Sequence, residues 1–178
     1  MAAEEKLAPG RRLLIGIATI VLGAAGFAAG RTLLRPAAAV RQPVAFNHRI
    51  HVKEVELECS TCHEYYEISQ HSGLPGLDIC MACHEEAMTE SPEEQRLLEL
   101  AASGQPAAFR KLFRMPDHVY YSHREHVTLA GIECETCHGD IADTTAPPPV
   151  TLVNITMDTC LDCHAERGVK TDCTHCHR

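Results

Sequence analysis

The feature that most constrains this chain is the repeated spacing of its cysteines. All ten cysteines occur as Cys-x-x-Cys pairs, and a histidine follows every pair directly. The five motifs occupy residues 59–63, 80–84, 134–138, 160–164 and 173–177. Neither a disulfide framework nor a set of zinc sites explains that fixed histidine, and five zinc sites would each lack a fourth ligand. The spacing therefore predicts five places where two sulfurs and one nitrogen hold the same group.

Cys-x-x-Cys-His is the attachment motif of c-type haem. Two cysteines at this separation can both reach the vinyl groups of one porphyrin, and the next histidine then lies below the iron. We therefore predict five covalently attached c-type haems. The predicted attachment residues are Cys59, Cys62, Cys80, Cys83, Cys134, Cys137, Cys160, Cys163, Cys173 and Cys176. The predicted proximal iron ligands are His63, His84, His138, His164 and His177.

The composition favours an interior filled by cofactor. The 178 residues include no Trp, four Phe and four Tyr, which leaves little aromatic surface for a protein core. Porphyrins would supply that apolar surface instead. The net charge of −8, with histidine counted as neutral, argues against a nucleic-acid partner. We expect a mainly α-helical fold with much irregular coil and almost no sheet.

Histidines outside the motifs are candidates for the sixth iron ligands. An internal repeat begins at residues 46–52 (FNHRIHV) and at residues 121–127 (YSHREHV). In each copy the next motif cysteine follows the first histidine by 11 positions. The repeat therefore predicts that His48, His51, His123 and His126 are distal ligands, with the two histidines of each pair serving different haems.

Three residues compete to be the fifth distal ligand. Met157 lies three positions before Cys160 and would give one haem of raised potential, because His/Met ligation raises the potential relative to His/His ligation. His71 and His118 are the alternatives. The spacing does not choose among the three.

The N-terminal part of the chain contains an apolar stretch. Residues 13–30 carry no charge and lie between Arg12 and Arg31, which predicts a single transmembrane anchor. A cleaved signal peptide is the alternative, with small residues at 37–39 near a possible cleavage site. Covalent haem attachment in bacteria occurs outside the cytoplasmic membrane, so we expect the later residues to lie in the periplasm.

The predicted organisation has six parts. They are a cytoplasmic N-terminus (1–12), the anchor (13–30), a tether (31–43), a dihaem module (44–88), a helical spacer (89–117) and a trihaem module (118–178). In the spacer, Ser91 at the N-cap, Pro92 at the first helical position and Glu94 at N3 predict a capping box. The helix should run to Ala102 and stop at Gly104. We expect this spacer to have no chemistry of its own.

The histidine pairs and motifs resemble the class III cytochrome family, and residues 120–178 resemble its small trihaem members over nearly their whole length. The resemblance implies that the first histidine of each pair serves the first following haem and the second histidine serves the next. His48 and His51 would then serve the haems at Cys59/Cys62 and Cys80/Cys83. By the same rule, His123 and His126 would serve those at Cys134/Cys137 and Cys160/Cys163.

Residues 46–164 also resemble the membrane-anchored pentahaem subunit of alternative complex III and related quinone-linked complexes. The segments that carry this resemblance are FNHRIHV, HSGLP (71–75), CMACH (80–84), MPDHVYYSH (115–123) and MDTCLDCH (157–164). It implies integral-membrane and iron–sulfur partner subunits. A periplasmic cytochrome or an oxidase would be the redox partner.

The predicted function is electron transfer within a quinone-linked respiratory or photosynthetic membrane complex. A free-standing membrane-anchored carrier between a quinol dehydrogenase and periplasmic partners is the alternative. A multihaem reductase is disfavoured because such an enzyme needs an iron with an open position. Here all five motifs end in histidine, and enough further ligands exist to close every iron. We therefore expect no catalytic residues.

Overall fold

The computed structural model describes residues 9–33 and 39–177. Most of the predicted N-terminal segment 1–12 and residues 34–38 of the predicted tether lie outside these ranges. The chain divides into two units, residues 1–38 and residues 39–178. The predicted boundary between a dihaem and a trihaem module falls inside the second unit and stays a prediction.

The described part of the first unit is one helix, Pro9–Leu33. Its Leu, Ile and Ala residues favour a helix, and Thr19 Oγ1 donates a hydrogen bond back to Ile15 O at 2.6 Å. The predicted anchor at residues 13–30 falls within this helix. Over the residues that the structure describes, no helix is both long enough and apolar enough to cross a membrane. The predicted anchor is therefore not confirmed.

The second unit consists of short helices joined by long irregular segments. Its α-helices are Cys59–Cys62, Leu77–Met81, Pro92–Ala102, Glu135–His138, Met157–Glu166 and Cys173–Cys176. Two π-helical turns, Ile50–Glu54 and Arg124–Leu129, and a 3₁₀ turn, Ile141–Asp143, complete the set. Across residues 9–33 and 39–177, β-pairing is limited to one isolated antiparallel bridge between Val119 and His177. The prediction of helices and coil with almost no sheet is confirmed.

The helix predicted in the spacer forms as Pro92–Ala102, with Ser91 at its N-cap and Gly104 beyond its end at φ +67°. The capping box does not form, because Ser91 makes no side-chain capping hydrogen bond among the described contacts. Glu94, the expected reciprocal partner, bonds to residues before the helix instead. The helix prediction is confirmed and the capping-box prediction is wrong.

The protein core of the second unit is very small. Among the described residues, only the apolar side chains of Val44, Leu97 and Pro148 are buried, with Val44 and Leu97 at 6% and 8% exposure, together with the carboxylate of Glu94. No described side chain is fully buried, and many large apolar side chains are exposed. A chain of this size ordinarily buries a continuous apolar core. The apolar surface here faces spaces that the protein itself does not fill.

Candidate functional site

The five Cys-x-x-Cys-His motifs share one local structure. The first cysteine begins or lies beside a helical turn, so that the two sulfurs, three positions apart, project from the same side. The backbone N–H of the motif histidine donates to the carbonyl of the first cysteine at 2.9 Å in the motifs starting at Cys59, Cys134 and Cys173. In the motif starting at Cys80 the distance is 3.0 Å. All ten cysteines are free thiols, and each is partly or largely exposed. They are therefore available for covalent attachment.

The structure brings motif histidines close to other histidines. The ring centroids are 6.1 Å apart for His51 and His84, 6.3 Å for His123 and His138, and 6.1 Å for His126 and His164. The rings of His118 and His177 are 5.5 Å apart and nearly parallel, at 22°. A metal–imidazole bond of about 2 Å on each side of one ion places two ring centroids about 6 Å apart. These four pairs therefore fit the axial positions of single metal ions.

His48 and His63 form the remaining candidate pair. Burial, together with the neighbouring His63 and His51, lowers the pKa of His48 to about 4. His48 is therefore a neutral imidazole near pH 7, which is the form that binds metal ions. All four histidines of the repeated pairs thus lie near a motif histidine. The partners match those that the class III resemblance implies.

The internal repeat also forms as a geometric repeat. In the first copy, the Phe46 ring meets His48 edge-on and stacks on His51, with centroid distances of 4.8 and 4.3 Å. In the second copy, the Tyr121 ring meets His123 edge-on and stacks on His126, at 4.9 and 4.7 Å. The aromatic ring at the start of each copy therefore fixes the planes of both histidines that follow it.

Backbone carbonyls orient several of these imidazole rings. Nδ1–H of His51 donates to Asn47 O at 2.8 Å, and Nδ1–H of His126 donates to Ser122 O at 2.9 Å. Likewise, Nδ1–H of His63 donates to Gly73 O at 3.0 Å. A proton on Nδ1 leaves the lone pair on Nε2, so each ring presents Nε2 as the metal-binding atom.

The first histidine of each repeat is held by the other half of the chain. Nδ1–H of His123 donates to Gln70 O at 2.8 Å. Nδ1 of His48 lies 3.2 Å from Thr144 Oγ1, and that hydroxyl donates its own proton to Ile141 O, so it accepts from His48. We call these two contacts the reciprocal contacts. His123 and Gln70 are 53 positions apart, and His48 and Thr144 are 96 positions apart. Each predicted module therefore orients a predicted ligand of the other module.

His84 differs from the other motif histidines because its partner is a carboxylate. Nδ1–H of His84 donates to Glu94 Oε1 at 2.8 Å, and Glu94 is 7% exposed. Hydrogen bonds from Thr89 Oγ1, Met88 N, His84 and Thr89 N lower the pKa of Glu94 to about 2, although desolvation acts in the opposite direction. The expectation that the spacer helix has no chemistry of its own stays a prediction, although the helix contacts a motif histidine through Glu94. The sequence pattern predicted a helix cap because Glu94 occupies the N3 position. The pattern did not predict the hydrogen bond from His84 to Glu94, because it contains only the residues next to the helix start.

The three candidates for the fifth distal ligand differ in their surroundings. The ring of His118 stacks on that of His177, the proximal histidine of the last motif. The side chain of Met157 is 60% exposed at the start of the Met157–Glu166 helix. His71 is exposed, and among the described ring contacts it takes part in none. The geometry therefore favours His118.

Cysteines of the first three motifs lie close enough to affect one another's pKa. Burial raises the pKa of the Cys62 thiol, and the charges of Cys59 and Cys83 raise it further. Burial, together with the adjacent Cys59 thiol, raises the pKa of Cys134 to about 11. The first motif therefore lies between the second and the third.

The same neighbourhood continues towards the C-terminus. Burial raises the pKa of Cys137, with Cys163 and Cys160 as the next causes. Burial raises the pKa of Cys160, followed by Cys176 of the last motif. These contacts make neighbours of the second and first motifs, the first and third, the third and fourth, and the fourth and fifth.

The donor set fits haem better than bare metal ions. Across the described residues, no group of three or more His, Cys, Asp or Glu side chains is arranged to hold a metal ion. A porphyrin supplies four nitrogens itself, so its iron needs only two protein ligands, which the histidine pairs could provide. Porphyrins would also cover the apolar side chains that the small core leaves exposed. Each motif could thus hold one haem.

Two segments of the chain match families of known proteins. Residues 31–103 match the class III cytochrome c family, and residues 119–178 match the family described as cytochrome c7 and related cytochrome c. These two segments are therefore similar to multihaem c-type cytochromes of the class III and c7 types, in which covalently bound haem transfers electrons.

One curated relative is similar over a longer stretch. The multihaem cytochrome c subunit of menaquinone reductase from Nitratidesulfovibrio vulgaris is 33% identical over 118 residues, which are 60% of this chain and 56% of that protein. The chain thus spans about half the length of the curated relative it matches.

Proposed function

We propose that this protein is a pentahaem electron relay within a quinone-linked membrane complex. The observation that carries the proposal is the pairing of five motif histidines with five further histidines, four of them at ring distances of 5.5–6.3 Å. Two protein ligands on every iron leave no open position for a substrate. Each haem supplies a carrier for one electron. The function is therefore relay rather than catalysis, as in the electron-carrier families that the chain matches.

The proposed axial ligand pairs are His48/His63, His51/His84, His123/His138, His126/His164 and His118/His177. The contact between His118 and His177 supports His118 over Met157 and His71 as the fifth distal ligand. All five irons would then have His/His ligation, which gives lower potentials than a His/Met site. Low potentials suit exchange with a quinone of low potential, and the similarity to a menaquinone reductase subunit supports this assignment.

The contacts between motifs support a single path for electrons. In this series of neighbouring motifs, the second motif is at one end and the fifth motif is at the other. The first and third motifs are neighbours through Cys59 and Cys134. We propose that electrons cross from one predicted module to the other between these two motifs. The two ends of the path would face the redox partners. One partner would be an iron–sulfur subunit of a quinone-linked complex, and the other a periplasmic cytochrome or an oxidase.

A spectroscopic experiment tests the relay. The purified protein should carry five haems by mass, and its ferric spectrum should be entirely low-spin. Its reduced form should not bind carbon monoxide, because both axial positions of every iron are filled. A high-spin haem that binds carbon monoxide in the native protein would overturn the proposal in favour of a reductase.

The proposed location is the cytoplasmic membrane, with the haem-bearing residues in the periplasm. This part rests on the sequence alone, namely the uncharged residues 13–30 and the haem motifs that follow them. Native membranes washed with alkaline carbonate should retain the protein, and mild detergent should release it together with its partner subunits. Release by carbonate, or a mature chain lacking residues 1–39, would contradict the anchor. Purification from detergent without any membrane partner would favour a free-standing carrier.

A further inference from the structure

Among the imidazole contacts described above, Glu94 is the only carboxylate that binds a histidine ring. Four other rings donate Nδ1–H to backbone carbonyls, and that of His48 donates to a hydroxyl. The Glu94 side chain is one of the few buried side chains among the described residues, at 7% exposure. Its Oε1 also accepts from Met88 N, and its Oε2 accepts from Thr89 N and Thr89 Oγ1. The carboxylate is therefore fixed in place and its orientation towards His84 is defined.

We propose that Glu94 is a positioning residue that lowers the reduction potential of the haem at Cys80 and Cys83 by acting through His84. The inference rests on the proposed function, because it requires His84 to be the proximal ligand of that haem. A carboxylate that accepts Nδ1–H makes a ligating imidazole more basic than a carbonyl does. A more basic imidazole, with a negative charge nearby in a site of low dielectric, stabilises ferric over ferrous iron.

The proposed role distinguishes one end of the relay. The haem at Cys80 and Cys83 belongs to the second motif, which lies at one end of the series of neighbouring motifs. A lower reduction potential at this haem favours electron transfer from it to the haem of the neighbouring first motif. The Pro92–Ala102 helix, which supplies Glu94, thus contributes to the electron path without contacting iron.

The test is a potentiometric titration of the full pentahaem protein. Glu94→Gln keeps the shape of the side chain and removes its charge. At a fixed potential, the ferrous-to-ferric ratio of one haem should rise about tenfold, equivalent to about 59 mV for a one-electron couple. Glu90→Gln is the matched control, because it removes the same charge from a nearby exposed side chain. It should leave all five potentials unchanged within the resolution of the titration.

A second variant guards against a structural explanation. Thr89→Val removes one donor to Glu94 Oε2 and leaves the carboxylate in place, so Glu94 should accept more strongly from His84. The same haem should then shift in the opposite direction, to a lower potential. A merely structural role for Glu94 would not give shifts of opposite sign in the two variants.

The outcomes separate this inference from the proposed function. Five attached low-spin haems with unchanged potentials in Glu94→Gln and Thr89→Val would overturn the role of Glu94 and leave the relay standing. Shifts in the same direction in both variants would also overturn it. A wild-type protein without haem on the peptide containing Cys80 and Cys83 would overturn the proposed function, and the inference with it.

Discussion

Single histidines decide whether an iron in this protein can react. The stacking of His118 on His177 is the contact that would close the last iron. The spacing of residues does not reveal it, because the two histidines are brought together by the return of the C-terminus to residues 118–120. That return is visible in the hydrogen bond from Tyr120 N to Cys176 O, at 2.8 Å.

Replacing His118 with alanine should open one iron. We expect His118→Ala to show one high-spin haem that binds carbon monoxide, while the other four haems stay low-spin. Absorption and electron paramagnetic resonance spectra of the purified variant measure this. His71→Ala and Met157→Leu are the controls and should remain fully low-spin. A high-spin haem in Met157→Leu with none in His118→Ala would show that the methionine is the ligand after all.

Gly139, directly after the third motif, has a conformation that only glycine adopts readily. Its φ and ψ are +65° and −163°, and a Cβ there would lie 3.2 Å from Leu152 Cβ and 3.3 Å from Val153 Cγ2. We expect Gly139→Ala to lower the free energy of unfolding by roughly 1–3 kcal/mol. Denaturation of the haem-loaded protein by guanidinium measures it. Gly131→Ala has a similar φ of +62° but open space around the Cβ, so it should cost less. Equal losses would show that the close contacts do not matter.

At the scale of elements, the Pro92–Ala102 helix is more than a connection. It carries Leu97, one of the three buried apolar side chains among the described residues, and Glu94, the partner of His84. Because N-caps and helix-stop signals are local, the sequence predicted where this helix begins and ends. It did not predict what the helix contacts, because the bond between Glu94 and His84 depends on the path of the intervening loop.

Truncating Leu97 should destabilise the second unit. We expect Leu97→Ala to lower the free energy of unfolding by roughly 2–4 kcal/mol, because it removes a large part of a very small core. Thermal unfolding of the haem-loaded protein, followed by circular dichroism, measures the effect. Gln95→Ala changes an exposed position of the same helix and should be nearly neutral. If both variants lost the same stability, the burial of Leu97 would not be the cause.

The motifs and the repeat were predictable from the sequence, whereas the contacts between distant residues were not. The five Cys-x-x-Cys-His turns and the two histidine pairs follow from fixed local spacings, and the structure forms them with matching ring geometry. The reciprocal contacts of His48 with Thr144 and of His123 with Gln70 were not predictable. Their partners are a common hydroxyl and a backbone carbonyl, which have no pattern of their own.

At the scale of the whole molecule, the cofactor and the fold depend on each other. With three buried apolar side chains in the described residues, the protein itself buries too little surface to offset the conformational entropy of folding. The five haems would add the missing interior. The second unit should therefore be stable only after attachment.

The haem-free chain should not fold. When residues 39–178 are produced without haem attachment, we expect no cooperative thermal transition and rapid digestion by a low concentration of protease. The same residues carrying five haems should unfold cooperatively and resist digestion. Circular dichroism and timed proteolysis make the comparison. A cooperative transition in the haem-free chain would show that the polypeptide core is sufficient.

The reciprocal contacts can form only after both predicted modules have been synthesised. A ribosome produces the chain from its N-terminus, so His48 exists long before Thr144, the residue that accepts its Nδ1–H. The first predicted module therefore lacks the hydrogen-bond partner of His48 until the second module has been synthesised. A chain that ended before Thr144 would lack the group that orients His48, the predicted distal ligand of the first haem. The second predicted module is therefore needed before the first one has all of its oriented ligands.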